Sequence, residues 1–436
     1  MLYNKQMKYY SLHHNAPKVT FSEAIIKGIA PDKGLYFPED IHPLPKSFFE
    51  NIEQYDEVEI AYQAIAQFVG NEIPENDLRA ILKDVLNFEF PVVEVKKGSI
   101  ATLELFHGPT MAFKDVGARF MAKCLGYFNR ANKNKVNVLV ATSGDTGGAV
   151  AKGFLGVPGI DVTILYPKGK VSDIQERQLT TLGKNITALE VDGVFDDCQR
   201  MVKTAFMDSD ITEKVQLTSA NSINVARWLP QMFYFLFTYK QLKSKNKDLV
   251  LSVPSGNFGN ICAGIVAFKL GLPVKQLIAA TNSNDTIVRY LSNGVYEPKP
   301  SIATLSNAMD VGDPSNFIRI NTLFNNDLNL LKEKFTAFSF NDEETKKAIE
   351  TLYTTYNYIA DPHGAVGYLG LLKYGIAADE YGVFFETAHP VKFKAIVEQT
   401  ISQELAIPEQ IQSVLHKKKK SISIQNYEEL KRFLLS

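Results

Sequence analysis

Residues 249–260 read LVLSVPSGNFGN, and this stretch decides the fold class. The apolar run 249–253 leads into a turn that contains Gly256 and Gly259, and an apolar helical pattern then continues to Leu270. A short strand, a glycine-rich turn and a helix in this order are typical of parallel sheets. Glycine lets the backbone approach an anion, and a helix start supplies N–H groups and a positive dipole end. The turn therefore predicts an anion site, and the alternative is a plain helix start without a ligand.

The same pattern occurs upstream, where the strand-like run 135–141 (KVNVLVA) precedes a second glycine-rich turn at 142–148. This turn offers three hydroxyl groups and several backbone N–H groups, which suit a carboxylate or a phosphate. Its alternative is a helix capped by Asp145 or Thr146. Further buried strands are predicted at 160–165, 185–191, 274–281 and 381–385. Such alternation predicts parallel sheets with helices on both faces and ligands at the carboxyl ends of the strands.

The domain organisation follows from where these units begin. Up to residue 91 the chain lacks them, and 57–70 and 75–86 have the apolar spacing of amphipathic helices. We therefore expect a mostly helical N-terminal domain over 1–91 and a catalytic region over 92–436. Within the catalytic region we expect a smaller α/β subdomain at about 125–230, a larger one formed by the remainder, and a helical insertion at about 299–356.

The composition excludes several classes of protein. The 436 residues include 45% hydrophobic and 22% charged side chains, which is ordinary for a globular protein. With 47 basic and 48 acidic residues the net charge is -1, which argues against a dedicated nucleic-acid binder. Three cysteines and seven histidines show no metal-ligand or disulfide spacing. We find no signal sequence and no apolar run long enough for a membrane span, so we expect a cytoplasmic protein.

Three polar segments could carry chemistry. Lys114 lies in ELFHGPTMAFKDVGARF (104–120), where apolar neighbours favour its neutral, nucleophilic amine, although most lysines are surface residues. Thr387 directly follows a predicted strand and could meet a ring nitrogen, with simple helix capping as the alternative. The segment 221–227 (NSINVAR) could bind phosphate through Arg227, or could be a capped helix start with a surface arginine.

Taken in order, these pieces resemble the threonine synthase family, in the longer class found in bacteria and fungi. The resemblance rests on eight ordered segments: 21–38, 107–120, 142–149, 175–182, 195–199, 219–227, 255–260 and 387–390. One departure lies near the start, where Ser11-Leu12-His13-His14 stands in place of Ser-Thr followed by Arg or Asn. It bears on any role for Leu12 and His13 and leaves the chemistry unaffected.

The resemblance implies a pyridoxal 5'-phosphate enzyme of fold type II, the tryptophan-synthase-β-like fold, with two parallel-sheet α/β subdomains. It implies a lyase that converts O-phospho-L-homoserine and water to L-threonine and phosphate, the last step of threonine biosynthesis. A monomer is the family expectation and a homodimer the alternative. The substrate is the only partner expected, with no nucleic acid and no membrane.

The resemblance also implies the site residues. Lys114 would be the catalytic Schiff-base lysine, Thr387 would face the pyridine nitrogen, and Asp145 would lie near the cofactor's 3'-oxygen. The turn that would hold the cofactor phosphate consists of Gly256, Asn257, Phe258, Gly259 and Asn260. The residues that would bind substrate are Ser143 and Thr146 at its carboxylate, and Ser222, Asn224 and Arg227 at its phosphate. No metal is implied.

Three other functions remain open at this point. The first is a dehydratase or a cysteine synthase on the same fold, neither of which needs 221–227 or the long N-terminal region. The second is a non-catalytic protein that holds pyridoxal phosphate or a phosphorylated metabolite. The third is a nucleic-acid or membrane partner for the basic run Lys417 to Lys420, which more simply predicts a solvated turn.

Overall fold

The computed structural model describes residues 6–130 and 135–436, and within them the protein is an α/β protein. The strands in chain order are β1 Tyr9–Ser11, β2 Tyr36–Pro38, β3 Val92–Lys96, β4 Ile100–Glu104, β5 Val136–Ala141, β6 Ile160–Pro167, β7 Ile186–Val191, β8 Gln216–Ser219, β9 Asp248–Pro254, β10 Gln276–Thr281, β11 Phe335–Ser339, β12 Glu380–Glu386 and β13 Ile422–Ile424. The helices are α1 Phe21–Lys27, α2 Lys46–Glu50, α3 Glu57–Val69, α4 Glu75–Val85, α5 Lys114–Asn129, α6 Asp145–Phe154, α7 Asp173–Thr180, α8 Phe195–Ala205, α9 Ser209–Thr212, α10 Val225–Trp228, α11 Met232–Leu242, α12 Gly259–Lys269, α13 Thr286–Asn293, α14 Phe317–Leu323, α15 Leu328–Lys334, α16 Asp342–Tyr356, α17 Pro362–Tyr374, α18 Lys394–Ile401, α19 Glu409–Leu415 and α20 Tyr427–Leu435.

The chain forms two compact units, and each unit uses separated parts of the sequence. Among the described residues, unit 1 holds 40–113 and 228–406, and unit 2 holds 6–39, 114–227 and 407–436. The chain therefore passes from unit 1 to unit 2 directly before Lys114 and returns directly after Arg227. Each unit has its own sheet.

The sheet of unit 1 has the strand order β11-β10-β9-β12-β4-β3, and its pairs are parallel except for the antiparallel hairpin of β3 and β4. The two central strands are buried along almost their whole length, as expected for strands covered on both faces. At their carboxyl ends, β9 leads into the turn at 255–258 and β12 leads into Thr387. The expected helical insertion at 299–356 is wrong in one respect, because β11 within it forms an edge strand of this sheet.

The sheet of unit 2 has the strand order β13-β7-β6-β5-β8 and is parallel throughout. Its strand β5 leads into the turn at 142–144, and β8 leads into 220–224. The edge strand β13 comes from the C-terminal segment, which the sequence pattern did not predict. In the same segment Lys419 pairs with Asp173 and Glu176 on α7, at 2.7 and 2.6 Å. Part of the basic run is thus bound to the protein itself.

The N-terminal region is mostly helical, as predicted. Helices α3 and α4 confirm the amphipathic patterns at 57–70 and 75–86, and α3 begins where the Asp56 side chain accepts the Glu59 N–H at 2.7 Å. Helix α1 begins with a capping box between Thr20 and Glu23. Residues 6–39 belong to unit 2 and 40–91 to unit 1, and a domain boundary at residue 91 stays a prediction. In the described parts of the chain, no helix is both long and apolar enough to cross a membrane.

Candidate active site

The glycine-rich turn of unit 1 has the backbone shape of an anion site. Phe258, which immediately precedes α12, has a left-handed backbone (φ 60°), and the eleven-residue helix then starts at Gly259. The first N–H groups of a helix have no acceptor within that helix, so they can bind an anion. A Cβ at Gly256 would lie 2.6 Å from Met309 Cα and 2.9 Å from Ala308 O, so no other residue fits there.

The two asparagines of this turn fix its shape. Asn257 Oδ1 accepts the Ser315 N–H at 2.6 Å, and its carbonyl oxygen accepts Asn316 Nδ2 at 2.9 Å. Asn260 Nδ2 donates to Pro254 O at 2.8 Å, and its Oδ1 accepts the Ile261 N–H at 2.9 Å. These amide groups are bound within the protein, so the backbone is the part of the turn that suits a phosphate.

Thr387 is held by the segment that precedes Lys114 in the sequence. Its carbonyl oxygen accepts the Phe113 N–H at 2.8 Å, and Ala388 pairs with Ala112 in an antiparallel bridge. The helical turn that follows is capped by His389, whose Nδ1 accepts the Val391 N–H at 3.1 Å. Thr387 is 6% exposed, and its hydroxyl makes no hydrogen bond to the described residues. The capping alternative for Thr387 is therefore wrong, and its hydroxyl is suited to a ligand.

The main chain around Lys114 is fixed on both sides. In unit 1 the Tyr234 hydroxyl donates to the carbonyl oxygen of Phe113. In unit 2, where Lys114 begins α5, Arg227 Nη1 donates to the Lys114 carbonyl oxygen at 3.1 Å. The half-buried Lys114 side chain thus starts from a rigid backbone. Sequence reasoning missed Tyr234, because the apolar run 228–237 gives no sign that one hydroxyl has a partner at this position.

The second glycine-rich turn is closed by Thr142. Its Oγ1 accepts the N–H groups of Gly144 and Gly147, at 2.9 and 2.8 Å. Helix α6 starts at Asp145 with Gly144 in the N-cap position, so Asp145 and Thr146 lie inside the helix and the predicted alternative of capping by either of them is wrong. The half-buried hydroxyls of Ser143 and Thr146 make no hydrogen bonds to the described residues, so both are suited to bind a substrate.

Asp145 has a partner that sequence reasoning did not assign. Gln175 Nε2 donates to Asp145 Oδ1 at 3.0 Å, and both side chains are buried. Gly144 has φ 141°, and a Cβ there would lie 2.5 Å from Gln175 Cδ, so this glycine makes room for the amide. The only signal in the sequence was that 175–182 is one of the segments of the family resemblance.

The third segment is tied into the core of unit 2. Arg227 is 3% exposed and its Nε donates to Ala220 O at 2.6 Å, so the surface alternative for this arginine is wrong. Asn224 Nδ2 donates to Ile25 O at 2.9 Å and to Thr218 Oγ1 at 3.4 Å, while its Oδ1 accepts the Ala226 N–H at 3.1 Å. Both atoms of the Asn224 amide thus have protein partners, and its contact with substrate phosphate stays a prediction.

Burial shifts the pKa values of two residues close to Thr387 in the sequence. It raises the pKa of the neighbouring Glu386 well above the usual range, with the nearby Asp361 as a further cause. Burial also lowers the pKa of His389 to about 4, so this imidazole is neutral at physiological pH. Sequence reasoning missed Glu386 and Asp361, because an isolated carboxylate in a sequence carries no sign of its burial.

The structure brings the predicted residues together as two sets. Unit 1 holds the turn 255–260 and Thr387 at the ends of the neighbouring strands β9 and β12. Unit 2 holds Lys114, the turn 142–148 and the segment 221–227, the latter two at the ends of the neighbouring strands β5 and β8. The turn 255–260 has no carboxylate and leads into a helix start, which fits a phosphate. The buried Thr387 hydroxyl, which makes no hydrogen bond to the described residues, fits a ring nitrogen. The two together fit pyridoxal phosphate. Among the described residues no group of side chains could hold a metal ion.

Comparison with known proteins defines the class first. The family described as pyridoxal-phosphate dependent enzyme matches residues 91–382, which is most of the chain. The chain therefore belongs to the pyridoxal-phosphate-dependent enzymes. The sequence-based prediction of the cofactor is confirmed.

The particular branch follows from the two ends of the chain. Residues 8–85 match the family described as threonine synthase N terminus, and 365–434 match its C-terminal counterpart. Threonine synthase of Escherichia coli is 43% identical over 93% of this chain and 94% of its own. The crystal structure of the E. coli enzyme has a TM-score of 0.93 and 41% identity over 98% of this chain and 99% of that one. The pyridoxal-phosphate-bound threonine synthase of Brucella melitensis has a TM-score of 0.91 and 32% identity, with 98% coverage of both chains. The chain belongs to the threonine synthase family, and the predicted family, fold class and lyase activity are confirmed.

Proposed function

We propose that this protein converts O-phospho-L-homoserine and water to L-threonine and inorganic phosphate, and that the residues described above carry the reaction. The observation that supports this most is the match over the N-terminal, central and C-terminal parts of the chain. In the reaction the Cγ–O bond breaks and phosphate leaves, while Cβ loses one proton and Cγ gains one. Water then gives its hydroxyl group to Cβ and its remaining proton to the released phosphate.

Pyridoxal phosphate, when bound, supplies an electron sink that stabilises negative charge on the carbon atoms of the attached amino acid. We propose that Lys114 binds it covalently, that the turn 256–260 holds its phosphate, and that Thr387 meets its ring nitrogen. A threonine hydroxyl can share a hydrogen bond with that nitrogen but is too weak an acid or base to change its charge. With Thr387 as its partner the ring nitrogen would stay unprotonated, and the electron sink would be moderate.

Lys114 is the residue that moves protons. Its Nζ would act as the general base that accepts the proton from Cα. To act as a base, the flexible lysine side chain needs a backbone that is held in place. The hydrogen bonds to the carbonyl oxygens of Phe113 and Lys114 hold that backbone. Since a general base must lie within hydrogen-bond reach of the proton it takes, this rigidity contributes to the rate.

Unit 2 would bind the two anionic ends of the substrate. Ser143 and Thr146 would donate hydroxyl hydrogen bonds to the carboxylate, and Ser222 and Arg227 would bind the phosphate. The guanidinium can stabilise the charge that develops on the departing phosphate. Asn224 would support this segment through its bond to α1.

The test is to incubate the purified protein with O-phospho-L-homoserine and measure phosphate and threonine together. We expect the two products in equal amounts. The same protein incubated with threonine or serine should form little 2-oxo acid, since those are the substrates of a dehydratase. Faster 2-oxo acid formation than phosphate release would contradict the proposal.

We further propose that the enzyme works as a cytoplasmic monomer. The support is the expectation for the longer class of the family. Light scattering on the holoenzyme should give the mass of one chain, 48.7 kDa. Twice that mass at micromolar concentration would instead establish a homodimer.

A further inference from the structure

The segment 304–310 packs directly on the turn to which the cofactor phosphate is assigned. At Gly256 the position that a Cβ would take is filled by Met309 Cα and Ala308 O. Residues 307–309 form a single 3₁₀ turn, and all these residues belong to unit 1. The position of this short turn therefore restricts the backbone conformation of Gly256.

His363 holds the turn through one specific hydrogen bond. Its Nε2 accepts the Ala308 N–H at 3.2 Å, and its Nδ1 lies 3.0 Å from Asp361 Oδ2. Since Nε2 accepts a hydrogen bond, the proton of the neutral ring must be on Nδ1, which then donates to Asp361. A charged imidazolium would direct an N–H against the Ala308 N–H. The ring is 2% exposed, so water cannot replace this contact freely.

Asp361 is in turn fixed from two directions. Its Oδ1 accepts the Gly364 N–H at 2.6 Å as the N-cap of α17, and its own N–H donates to Glu386 Oε1 at 2.6 Å. Its side chain is fully buried. Glu386 is the residue directly before Thr387, so a continuous chain of hydrogen bonds joins the strand end that carries Thr387 to the turn beneath Gly256.

The other end of the segment is fixed by Asp310. Its Oδ1 accepts Thr304 Oγ1 at 2.7 Å and Asn282 Nδ2 at 2.8 Å, and its Oδ2 accepts the Thr304 N–H at 3.1 Å. The hydrogen bond from Ala308 to His363 holds the middle of the segment, together with the buried side chain of Met309.

We propose that His363 and Asp361 are positioning residues for the phosphate of pyridoxal phosphate. Asp361 fixes the Nδ1–H form of His363, and His363 Nε2 holds residues 307–309 against Gly256, which keeps the backbone N–H groups of the turn in place for a phosphate. This inference rests on the proposed placement of the cofactor phosphate at 256–260. Neither residue touches the reacting atoms, so the effect is on cofactor affinity and depends on the phosphate group.

The test compares the affinities of pyridoxal phosphate and of pyridoxal, which lacks the phosphate, by titrating apoenzyme and following absorbance. We expect the substitution His363→Phe to weaken pyridoxal phosphate about tenfold, the size of one hydrogen bond, and to leave pyridoxal unchanged. His363→Gln should bind pyridoxal phosphate nearly as tightly as the parent does, because its Oε1 can accept the Ala308 N–H. Asp361→Asn should weaken pyridoxal phosphate about as much as His363→Phe does. An asparagine has one side-chain oxygen, so it can accept from His363 Nδ1 or from the Gly364 N–H but not from both. The exposed His416→Phe is the matched control.

Three results would overturn the inference: unchanged affinity for both ligands in His363→Phe and Asp361→Asn, an equal loss for both ligands, or a ¹⁵N spectrum showing His363 protonated at Nε2. That spectrum is recorded on the parent holoenzyme, so it applies even when a variant fails to fold. A parent protein that binds pyridoxal as tightly as pyridoxal phosphate would instead contradict the proposed phosphate turn itself.

Discussion

Arg227 Nη1 donates to the carbonyl oxygen of Lys114 at 3.1 Å, so the arginine proposed to bind the substrate phosphate also holds the backbone of the lysine proposed to be catalytic. Its Nε bonds Ala220 O at 2.6 Å, so one planar side chain joins two segments of unit 2. A lysine at this position carries the same charge but cannot direct donors to both carbonyl oxygens.

The substitution Arg227→Lys should therefore affect both stability and substrate binding. We expect the free energy of unfolding to fall by about 1–3 kcal/mol, the cost of a buried acceptor left without a donor. We also expect a higher KM for phosphohomoserine, measured by phosphate release, with the absorbance of the bound cofactor retained. The exposed Arg200→Lys, in the same unit, should change the free energy of unfolding by less than about 1 kcal/mol. An unchanged KM would show that Arg227 does not bind the substrate.

Removal of the Lys114 amine should abolish both chemistry and covalent cofactor binding. We expect Lys114→Ala to lose the near-visible absorbance of the holoenzyme and to lower the rate at least about 10²–10⁴-fold, the contribution of a general base alone. Borohydride reduction of the parent followed by peptide mass spectrometry should place the pyridoxyl group on Lys114. Lys123→Ala, an exposed position on the same helix, serves as the control. A label on any other lysine would refute the assignment.

The hydrogen bond between Gln175 and Asp145 can be tested by exchanging the donor and the acceptor. In Gln175→Glu two carboxylates would face each other at about the present 3.0 Å, so one pKa must rise. When folding raises the pKa of a carboxyl group, the folded protein becomes less stable as the pH increases. The Tm of Gln175→Glu should therefore lie further below the Tm of the parent at pH 8 than at pH 5. The double variant Gln175→Glu with Asp145→Asn restores a donor and an acceptor, and should recover most of the loss. Additive effects of the two substitutions would argue against a direct bond.

The raised pKa of Glu386 predicts how the free energy of unfolding depends on pH. The unfolded glutamate ionises near its usual pKa of about 4.3, whereas the folded one keeps its proton to a higher pH. Stability from this group is therefore greatest below about pH 4 and falls as the pH rises towards the folded pKa, by up to about 1.4 kcal/mol per pH unit. Urea unfolding from pH 5 to 8 should show a shallower decline for Glu386→Gln than for the parent. The exposed Glu404→Gln should leave the slope unchanged, and equal slopes in all three proteins would show that Glu386 is ionised when folded.

Much of the fold followed from local patterns. The strand, glycine turn and helix at 249–270 and the apolar spacing at 57–70 are short-range features, and they recur in the structure because burial and backbone conformation act on neighbouring residues. The strand β11 was missed because its five residues follow a long region without such units. The edge strand β13 was missed because its three residues are mostly exposed and carry little apolar pattern.

The sequence by itself determined the class of fold and the two glycine-rich turns, and it singled out Lys114 as a candidate, since these depend on residue types at short spacing. Only the tertiary structure decided which groups hold them: Gln175 at Asp145, Arg227 at the carbonyl of Lys114, and the chain from Glu386 through Asp361 and His363 to Ala308. Gln175, His363 and Arg227 lie between about thirty and more than a hundred residues along the chain from Asp145, Ala308 and Lys114. Glu386 is a buried carboxyl group whose raised pKa leaves no sign in the sequence. Hydrogen bonds between distant segments depend on how strands are ordered in a sheet, and that order is set by packing across the whole unit.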